Sequence, residues 1–494
     1  MFINYFNLQN RLEKATDVFF SSKNNDSRFS GKFFKTGKKY SRNNFQVENQ
    51  KKRNFVMDLK ADRTNEDNNI SWIDGILPEV EKTELKELEY LRSVSKNLMK
   101  NCKRPSKNDE SWKYYSLDNL YSKQLTPIKG DSVVSLNEKR LLEIKGNKLV
   151  FINGKFSQKY STIEQFPEGI VFKTASTMDE KEISAIKDDI GKGETGIDGG
   201  YFSLLNLTSI SDIYMMKISD NISLNQEIQI IYVNESKQDF PMINSRLIIS
   251  AGKNSDVKLA KRYVCNSKQK FFDNLCTSIF LQKGSKFDLT LLNNLPKSAF
   301  MINTIYADLE ENASLDIKSI SLNGSINRTN LGVEMNGTEC SCKIIGLTAN
   351  KENNISDIHT RISHNFPRCE SEQLQKNLVF DKAHAIFAGK IQVQNGAFQT
   401  LSNQLCKTLL LSEKARVDAV PILEINNEDV KCTHGATVSD LDDSQVFYIE
   451  SRGISKEIAK KVLIKGFAEE VIYHTPENLQ KCVTDEFENF LDLS

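Results

Sequence analysis

Between about residues 200 and 432, the chain is a succession of short apolar segments rich in β-branched and aromatic side chains. Small polar residues and lysines separate each segment from the next. This region has no helical stripe of ten residues, so we expect many short strands. The segments cover residues 228–233, 246–250, 257–264, 287–292, 305–309, 315–322, 331–335 and 342–347.

Short strands at near-regular spacing are typical of three all-β architectures: a sandwich, a barrel and a parallel β-solenoid. A region of about 230 residues is long for one sandwich domain. Small polar residues at recurrent corners suit the stacked coils of a solenoid. The repeat is too irregular to define a period. The pattern therefore favours a solenoid and leaves the other two architectures open.

The sequence before this region changes character. Residues 1–56 are rich in Asn, Ser, Phe and Lys and poor in acidic residues. They are compatible with an organelle transit peptide, with a start codon wrongly chosen ahead of Met57, or with a disordered tail. We assign residues 1–69 to a disordered or targeting-like extension. We assign residues 70–145 to a helical region, because leucines recur every three to four residues, and expect Trp112 to be its core anchor.

A β core is assigned to residues 146–438, and a hairpin is expected near its start. Asn153 and Gly154 separate two apolar runs. An Asn-Gly pair supplies the positive φ values of a tight hairpin turn.

Residues 439–494 are assigned to a C-terminal helical domain. Ser439 is the expected N-cap of its first helix, and a second helix is expected from about Ser455. The two helices either cap the solenoid or form a docking surface for another protein. The residues expected on one apolar stripe of the second helix are Ile458, Val462, Phe467 and Val471.

Composition excludes several classes of function. The 494 residues carry a net charge of +1, which gives no electrostatic argument for nucleic acid or a membrane surface. No stretch approaches the roughly 18–20 apolar residues that cross a bilayer. The nine cysteines are an odd number without pairing rhythm, and no secretory signal is apparent. We therefore expect reduced thiols. Neither a C-x-x-C pair nor a phosphate-binding loop is present.

Cys432 and His434 lie two residues apart, where strand-like sequence gives way to the helical tail. Side chains at i and i+2 of a strand point to the same face. A thiol and an imidazole could therefore face one partner, one metal or one cluster. Because two donors alone do not complete a site, structural roles remain open. Hydrogen-bonded or packing roles are expected for Cys340, Cys342, His359, His364 and Cys369.

The block Lys431-Cys-Thr-His-Gly-Ala-Thr437, with Asp442 and Ser451-Arg-Gly-Ile454, resembles the SufB/SufD family of iron–sulfur cluster assembly proteins. Within the family the chain resembles SufD more than SufB. SufB proteins carry an acidic residue directly after the motif histidine, where this chain has Gly435. Upstream segments that agree are 109–114, 150–154, 363–373, 387–390, 409–412, 415–418 and 423–425.

The resemblance implies a helical N-terminal region, a central right-handed parallel β-helix and a C-terminal helical domain. It also implies a complex of one SufB, one SufD and two copies of the ATPase SufC in the SUF system, with SufC bound through the C-terminal helices. A cysteine desulfurase system would supply sulfur indirectly. The chain would be a scaffold without enzymatic turnover, with no stably bound cofactor and a transient cluster or iron shared with SufB.

Carried over by motif, His434 is the histidine that acts at the SufB–SufD interface and a candidate iron ligand. Cys432 is its neighbour in the motif, and Cys406 lies where SufB carries its functional cysteine. The family suits bacterial cytoplasm, or plastid stroma if residues 1–56 are a transit peptide. Two alternatives remain: a purely structural adaptor with an inert, buried His434, and a β-solenoid carbohydrate-active enzyme. The enzyme would need an export signal and a cleft of acidic or basic catalytic residues.

Overall fold

The chain forms a parallel β-helix with helices at both ends. The structure is a computed structural model. It describes residues 76, 85–100, 102–128, 144–163, 166–189, 200–224, 226–235, 238, 240–263 and 270–492. The predicted extension, residues 1–69, lies outside the described residues. The helices of at least four residues are α1 (Lys86–Lys100), α2 (Asp118–Tyr121), α3 (Glu180–Asp189), α4 (Tyr201–Ser209), α5 (Asp443–Glu450), α6 (Lys456–Ile472) and α7 (Glu477–Asp492).

The strands are short near the start and about ten residues long in the body of the β-helix. They are β1 (Thr126–Pro127), β2 (Lys148–Ile152), β3 (Lys155–Phe156), β4 (Ile170–Thr174), β5 (Tyr214–Ile218), β6 (Ile228–Val233), β7 (Pro241–Ala251), β8 (Asp256–Tyr263), β9 (Phe271–Leu281), β10 (Lys286–Asn294), β11 (Ala299–Leu309), β12 (Ser314–Leu322), β13 (Ile326–Met335), β14 (Ser341–Asn350), β15 (Ile355–His364), β16 (Glu370–Val379), β17 (His384–Val393), β18 (Thr400–Leu410), β19 (Arg416–Ile425) and β20 (Val430–Ser439).

Successive strands alternate between two sheets, which defines the coils. One sheet runs β19-β17-β15-β13-β11-β9-β7-β5-β4, and the other runs β20-β18-β16-β14-β12-β10-β8-β6-β2-β3. From β5 onward each strand pairs in parallel with the strand two places away. The strands β7 to β20 therefore make seven coils of two strands each. The predicted β-solenoid is confirmed, and each predicted apolar segment overlaps a strand.

Polar residues shape the corners and the first hairpin, as the sequence predicts. Asn254 and Asn312 adopt φ values of 53° and 57° at corners between the two strands of a coil, in a region that Asn tolerates better than most residues. Asn153 and Gly154 have φ values of 50° and 79° and join β2 to β3 as an antiparallel hairpin. Gly154 is required here, because a Cβ would lie 2.3 Å from the carbonyl oxygen of Asn244.

The N-terminal helices lie against the first sheet. Trp112 is buried, as predicted, and the Arg328 guanidinium stacks 3.6 Å from its ring centroid. Arg328 is itself paired with Asp357 at 2.5 Å, and both side chains are fully buried. Trp112 therefore anchors the N-terminal region to the β-helix rather than forming a separate small core.

The C-terminal helices correct two predictions. Ser439 ends β20, and the cap of α5 is Asp442, which accepts a hydrogen bond from the Ser444 amide at 2.9 Å. The second helix begins as predicted, with Ser455 as N-cap. The predicted stripe is wrong, because 100° per residue puts Ile458 and Val462 on one face and Val471 on the other.

Helices α6 and α7 cover the outer face of the second sheet. Ile464, Val471 and Phe487 pack against Ile345 and Leu347 of β14. This packing fixes the helices beside the coils and leaves the other face of α6 in solvent. None of the helices in the described part of the chain has the length and hydrophobicity needed to span a bilayer.

Candidate functional site

The predicted site lies on β20, at the open end of the β-helix. β20 pairs with β18, and β19 pairs with β17. Within the described ranges, neither β19 nor β20 pairs with another strand on its outer edge. The last coil therefore presents two strand edges with unused backbone donors and acceptors, the kind of surface to which another strand can add.

Register shows which side chains of β20 face the interior. Along β18 the buried side chains alternate with exposed ones, and Ser402, Gln404 and Cys406 are on the buried face. Cys432 pairs with Ser402 and His434 with Gln404 in flush parallel register. The motif thiol and imidazole therefore share the inward face of the terminal coil.

The residues stacked in register with His434 change from apolar to polar along the β-helix axis. Going toward the open end, the residues in register are apolar in four coils and polar in the last three. They are Leu259, Leu289, Ile317, Ile344, Gln373, Gln404 and His434.

The residues in register with Cys432 change from apolar to polar at the same coil. The first coils have apolar side chains and a buried cysteine at this position, and the next two have serine hydroxyls. The residues are Val257, Phe287, Leu315, Cys342, Ser371, Ser402 and Cys432.

Hydrogen bonds hold the polar side chains beneath the site. Gln404 Nε2 donates to Gln373 Oε1 at 2.8 Å, and Gln373 Nε2 donates to Thr360 Oγ1 at 2.9 Å. The Oε1 atom of Gln404 is buried and has no hydrogen-bond partner. Gly389 makes room for this side chain, since a Cβ there would lie 2.3 Å from Gln404 Nε2. A buried acceptor without a partner thus lies one coil below His434.

The two motif side chains differ in exposure. His434 is exposed to solvent, whereas Cys432 is half-buried against Ile391, Val393 and Ala397. Burial raises the pKa of the Cys432 thiol above its ordinary value. Metal binding would favour the thiolate and oppose this effect. The described residues contain no group of three or more His, Cys, Asp or Glu side chains arranged to hold a metal.

Cys406 lies in the core rather than beside the motif pair. Its side chain is fully buried with Ile358 and Phe387, and Asn377 Nδ2 donates to its sulfur at 3.5 Å. Burial raises the pKa of the Cys406 thiol to about 11. Cys406 is one coil below His434 and two residues further along its strand, so the structure does not bring the two side chains together.

Sequence reasoning missed Gln404 and Gln373, although a signal was present. Alternate residues of β16 and β18 are polar, which is unusual for strands whose alternate side chains line a closed interior. The set includes Ser371, Gln373, Gln375, Asn377, Ser402, Gln404 and Thr408.

A second exposed feature lies on the C-terminal helices. Phe447 and Tyr448 on α5 are 72% and 59% exposed, and Ile458 and Val462 on α6 are 55% and 50% exposed. We call these four residues the helical apolar face. Several exposed side chains of this size on neighbouring helices are typical of a protein-binding surface.

Comparisons with known proteins find similarity to iron–sulfur cluster assembly proteins. The family model for the SUF system FeS cluster assembly SufBD core domain matches residues 232–467. The chain is 28% identical over 422 residues to the iron–sulfur cluster assembly SufBD family protein slr0076 of Synechocystis, covering 82% of this chain and 92% of that protein.

Two further relatives carry informative names. The chloroplastic protein ABCI7 of Arabidopsis thaliana is 26% identical over 397 residues, which cover 79% of this chain and 83% of that protein. The iron–sulfur cluster assembly protein SufD of Escherichia coli is 39% identical over 163 residues, which cover 33% of this chain and 38% of that protein.

Proposed function

Because this chain belongs to the SufB/SufD family of iron–sulfur cluster assembly proteins, we propose that it is a SufD-like scaffold subunit without catalytic turnover. The observation that carries the proposal is the shared inward face of Cys432 and His434 at an open coil end. An assembly scaffold must hold iron and sulfide and then release the cluster. A few ligands shared between two chains permit release better than a closed four-cysteine site.

A SufB-like chain is the proposed partner at the open end. The free edges of β19 and β20 can continue both sheets into a second β-helix by strand addition. The partner would supply the remaining ligands, since His434 and Cys432 cannot complete a site alone. Neutral imidazole and thiolate are both suitable ligands for iron. The cluster would be bound transiently, as the product of assembly rather than as a resident cofactor.

A SufC-like ATPase is the proposed partner at the helical apolar face. Its two residues on α6 lie on the side turned away from the sheet, and all four are exposed, so docking there requires no rearrangement of the core. ATP-driven movement of the docked subunit would reach the assembly site through α6 and the coils. A cysteine desulfurase system is the proposed indirect source of sulfur. The proposed compartment is bacterial cytoplasm or plastid stroma, and the chloroplastic relative favours the stroma.

The direct test is anaerobic reconstitution of the complex with a SufB-like and a SufC-like protein. We expect His434→Ala to leave the complex intact and to abolish most cluster formation, because an interface ligand is lost. Thr437→Ala is the matched control, since Thr437 is exposed on the other face of the same strand. Normal cluster formation in His434→Ala would favour the structural adaptor. That alternative assumed a buried His434, and the exposed side chain already contradicts this assumption.

Two further measurements test the remaining parts of the proposal. The purified chain alone should neither hydrolyse ATP nor retain a cluster through gel filtration. Substitution of Ile458 and Val462 by Asp should abolish SufC binding without changing the fold, because both side chains are solvent-exposed. Lys460→Ala, at an exposed position of the same helix outside the helical apolar face, should bind normally. Binding that survives both Asp substitutions would place the ATPase elsewhere.

A further inference from the structure

Two buried cysteines in successive coils converge on one carbonyl group. Cys340 directly precedes β14, and Cys369 directly precedes β16. The sulfur of Cys340 lies 3.2 Å from the carbonyl oxygen of Gly337, and the sulfur of Cys369 lies 3.3 Å from the same atom. Both side chains are almost completely buried. The two thiols are therefore held in one small space at a corner of the β-helix.

The backbone holds these two residues at the spacing of neighbouring strands. Ser341 and Glu370 are partners in parallel register, and the Glu370 amide donates to the Cys340 carbonyl at 2.9 Å. The Glu339 amide donates to the Pro367 carbonyl at 3.2 Å, so the pairing continues through the corner. Neighbouring strands are about 4.8 Å apart. Disulfides span Cα separations of roughly 4.4–6.8 Å, so the backbone needs little movement to accept one.

The surroundings give the two sulfurs different chemical roles. The adjacent Cys340 thiol and the nearby His364 side chain lower the pKa of the Cys369 thiol, against the opposing effect of burial. The same interaction with Cys369, together with burial, raises the pKa of Cys340. His364 is itself held by Ser371, with 2.9 Å between Nε2 and Oγ. The sulfur of Cys340 also lies 3.1 Å from the carbonyl oxygen of Glu310, which favours its protonated form, so Cys369 is the more nucleophilic member of the pair.

We propose that Cys340 and Cys369 form a reversible intrachain disulfide between successive coils when the chain meets hydrogen peroxide. In the first step the Cys369 thiolate attacks one peroxide oxygen, the O–O bond breaks and hydroxide leaves, giving a sulfenic acid. In the second step the Cys340 sulfur attacks the Cys369 sulfur, and the S–O bond breaks. The thiol proton and the hydroxyl group leave as water. Overall two thiols and one peroxide give one disulfide and two waters.

The sites of oxidation and cluster assembly are separate in this proposal. Cys340 and Cys369 lie in the coils of β14 and β16, whereas Cys432 lies on β20 at the open end. The disulfide depends on no SUF partner and on no iron. Failure of the assembly proposal would therefore leave it unaffected.

The test is peptide mapping of the full-length reduced protein after treatment with hydrogen peroxide and alkylation of remaining thiols. We expect a trypsin product that joins peptide 329–343 to peptide 369–376, lighter than the two peptides by two hydrogen atoms, and lost on reduction. We expect Cys340 and Cys369 to be lost to alkylation before Cys406, which is equally buried but packs against Ile358 and Phe387 rather than beside a second thiol. Peptide 329–343 also contains Cys342, so Cys342→Ser must retain the link.

Variants separate the two steps. Cys340→Ser should trap Cys369 as a sulfenic acid that dimedone labels, and Cys369→Ser should give neither the label nor the link. If either variant fails to fold, the wild-type map and Cys342→Ser decide the question. The proposal is wrong if Cys340 and Cys369 both remain alkylatable after other cysteines have oxidised. A link that joins either residue to a different cysteine would also overturn it.

Discussion

The interior of the β-helix has two regions of opposite character at the same register positions. In the coils before β16, the position of His434 is filled by aliphatic side chains such as Ile317 and Ile344. In the last coils the same position is filled by Gln373 and Gln404, which are hydrogen-bonded to each other. The aliphatic region supplies the hydrophobic stabilisation of the fold. The polar region gives up part of that stabilisation and places donors and acceptors beneath the candidate site.

The largest expected effect comes from making the aliphatic region resemble the polar one. Ile317→Gln should lower the free energy of unfolding by about 3–5 kcal/mol, because an amide enters a fully buried site without built-in partners. Urea denaturation measures the change. Ile317→Val is the control and should cost about 1 kcal/mol. An equal cost for the two variants would show that the aliphatic coils already tolerate polar groups.

The next effect is a pH dependence of the free energy of unfolding, caused by buried charged groups in the aliphatic region. Burial raises the pKa of Asp273 to about 7 and lowers the pKa of Lys261 to about 8. The Asp273 contribution to stability is complete below its ordinary pKa and is lost as the pH rises to about 7. The Lys261 contribution is present above its ordinary pKa and is lost as the pH falls through about 8.

Asp273→Asn should therefore remove most of the decrease in stability between about pH 4 and pH 7, on the order of a few kcal/mol. Urea midpoints measured across this range provide the test. Asp440→Asn, at an exposed position, is the control and should retain the wild-type slope. A wild-type slope in Asp273→Asn would mean that this carboxyl group does not control the pH dependence.

A smaller effect is expected at Cys406, which lies on β18 inside the polar region. Cys406→Ala should cost about 1–2 kcal/mol of unfolding free energy, because it removes a buried sulfur from a packed cluster. Cluster formation in the reconstituted complex should be unchanged. A complex that assembles fully but forms no cluster would instead assign this thiol a direct role.

The smallest effect on stability is expected from Gln404→Leu, which places an aliphatic side chain in the polar region. We expect a change within about 1 kcal/mol, since one Gln404 oxygen already lacks a partner. Cluster formation should fall, because a metal-ligating histidine is usually oriented by an outer acceptor. Gln404→Glu keeps an acceptor and should support more cluster formation than Gln404→Leu. Equal cluster yields from Leu, Glu and wild type would remove Gln404 from the site.

The sequence predicted the architecture better than the details of the site. Short apolar segments and the Asn153–Gly154 turn have local causes, so the sequence was sufficient to predict the solenoid and its first hairpin. The polar interior was not, because it depends on register between distant strands. The step between coils varies: 27 residues separate Ser314 from Ser341, whereas 31 separate Gln373 from Gln404. A fixed repeat length would therefore align the wrong residues.

The C-terminal errors have a similar origin. Ser439 has the side chain of a cap, but pairing of β20 with β18 extends the strand through that residue. Tertiary pairing thus overrides a local capping signal, and Asp442 takes the role. The spacing of Ile458 and Val462 is helical, as predicted. Which face of α6 is covered depends on the sheet beneath it, and local sequence does not specify that.

The in-register stacking of the coils has a consequence for the order in which they unfold. In a one-dimensional array, each coil is held by its two neighbours, and the last coil has only one. The strands that carry Cys432 and His434 should therefore fray first and exchange their amide hydrogens fastest among the coils. A second β-helix added to β19 and β20 would supply the missing neighbour. Binding of the partner would then make the candidate site more ordered, and release of the partner would make it less ordered.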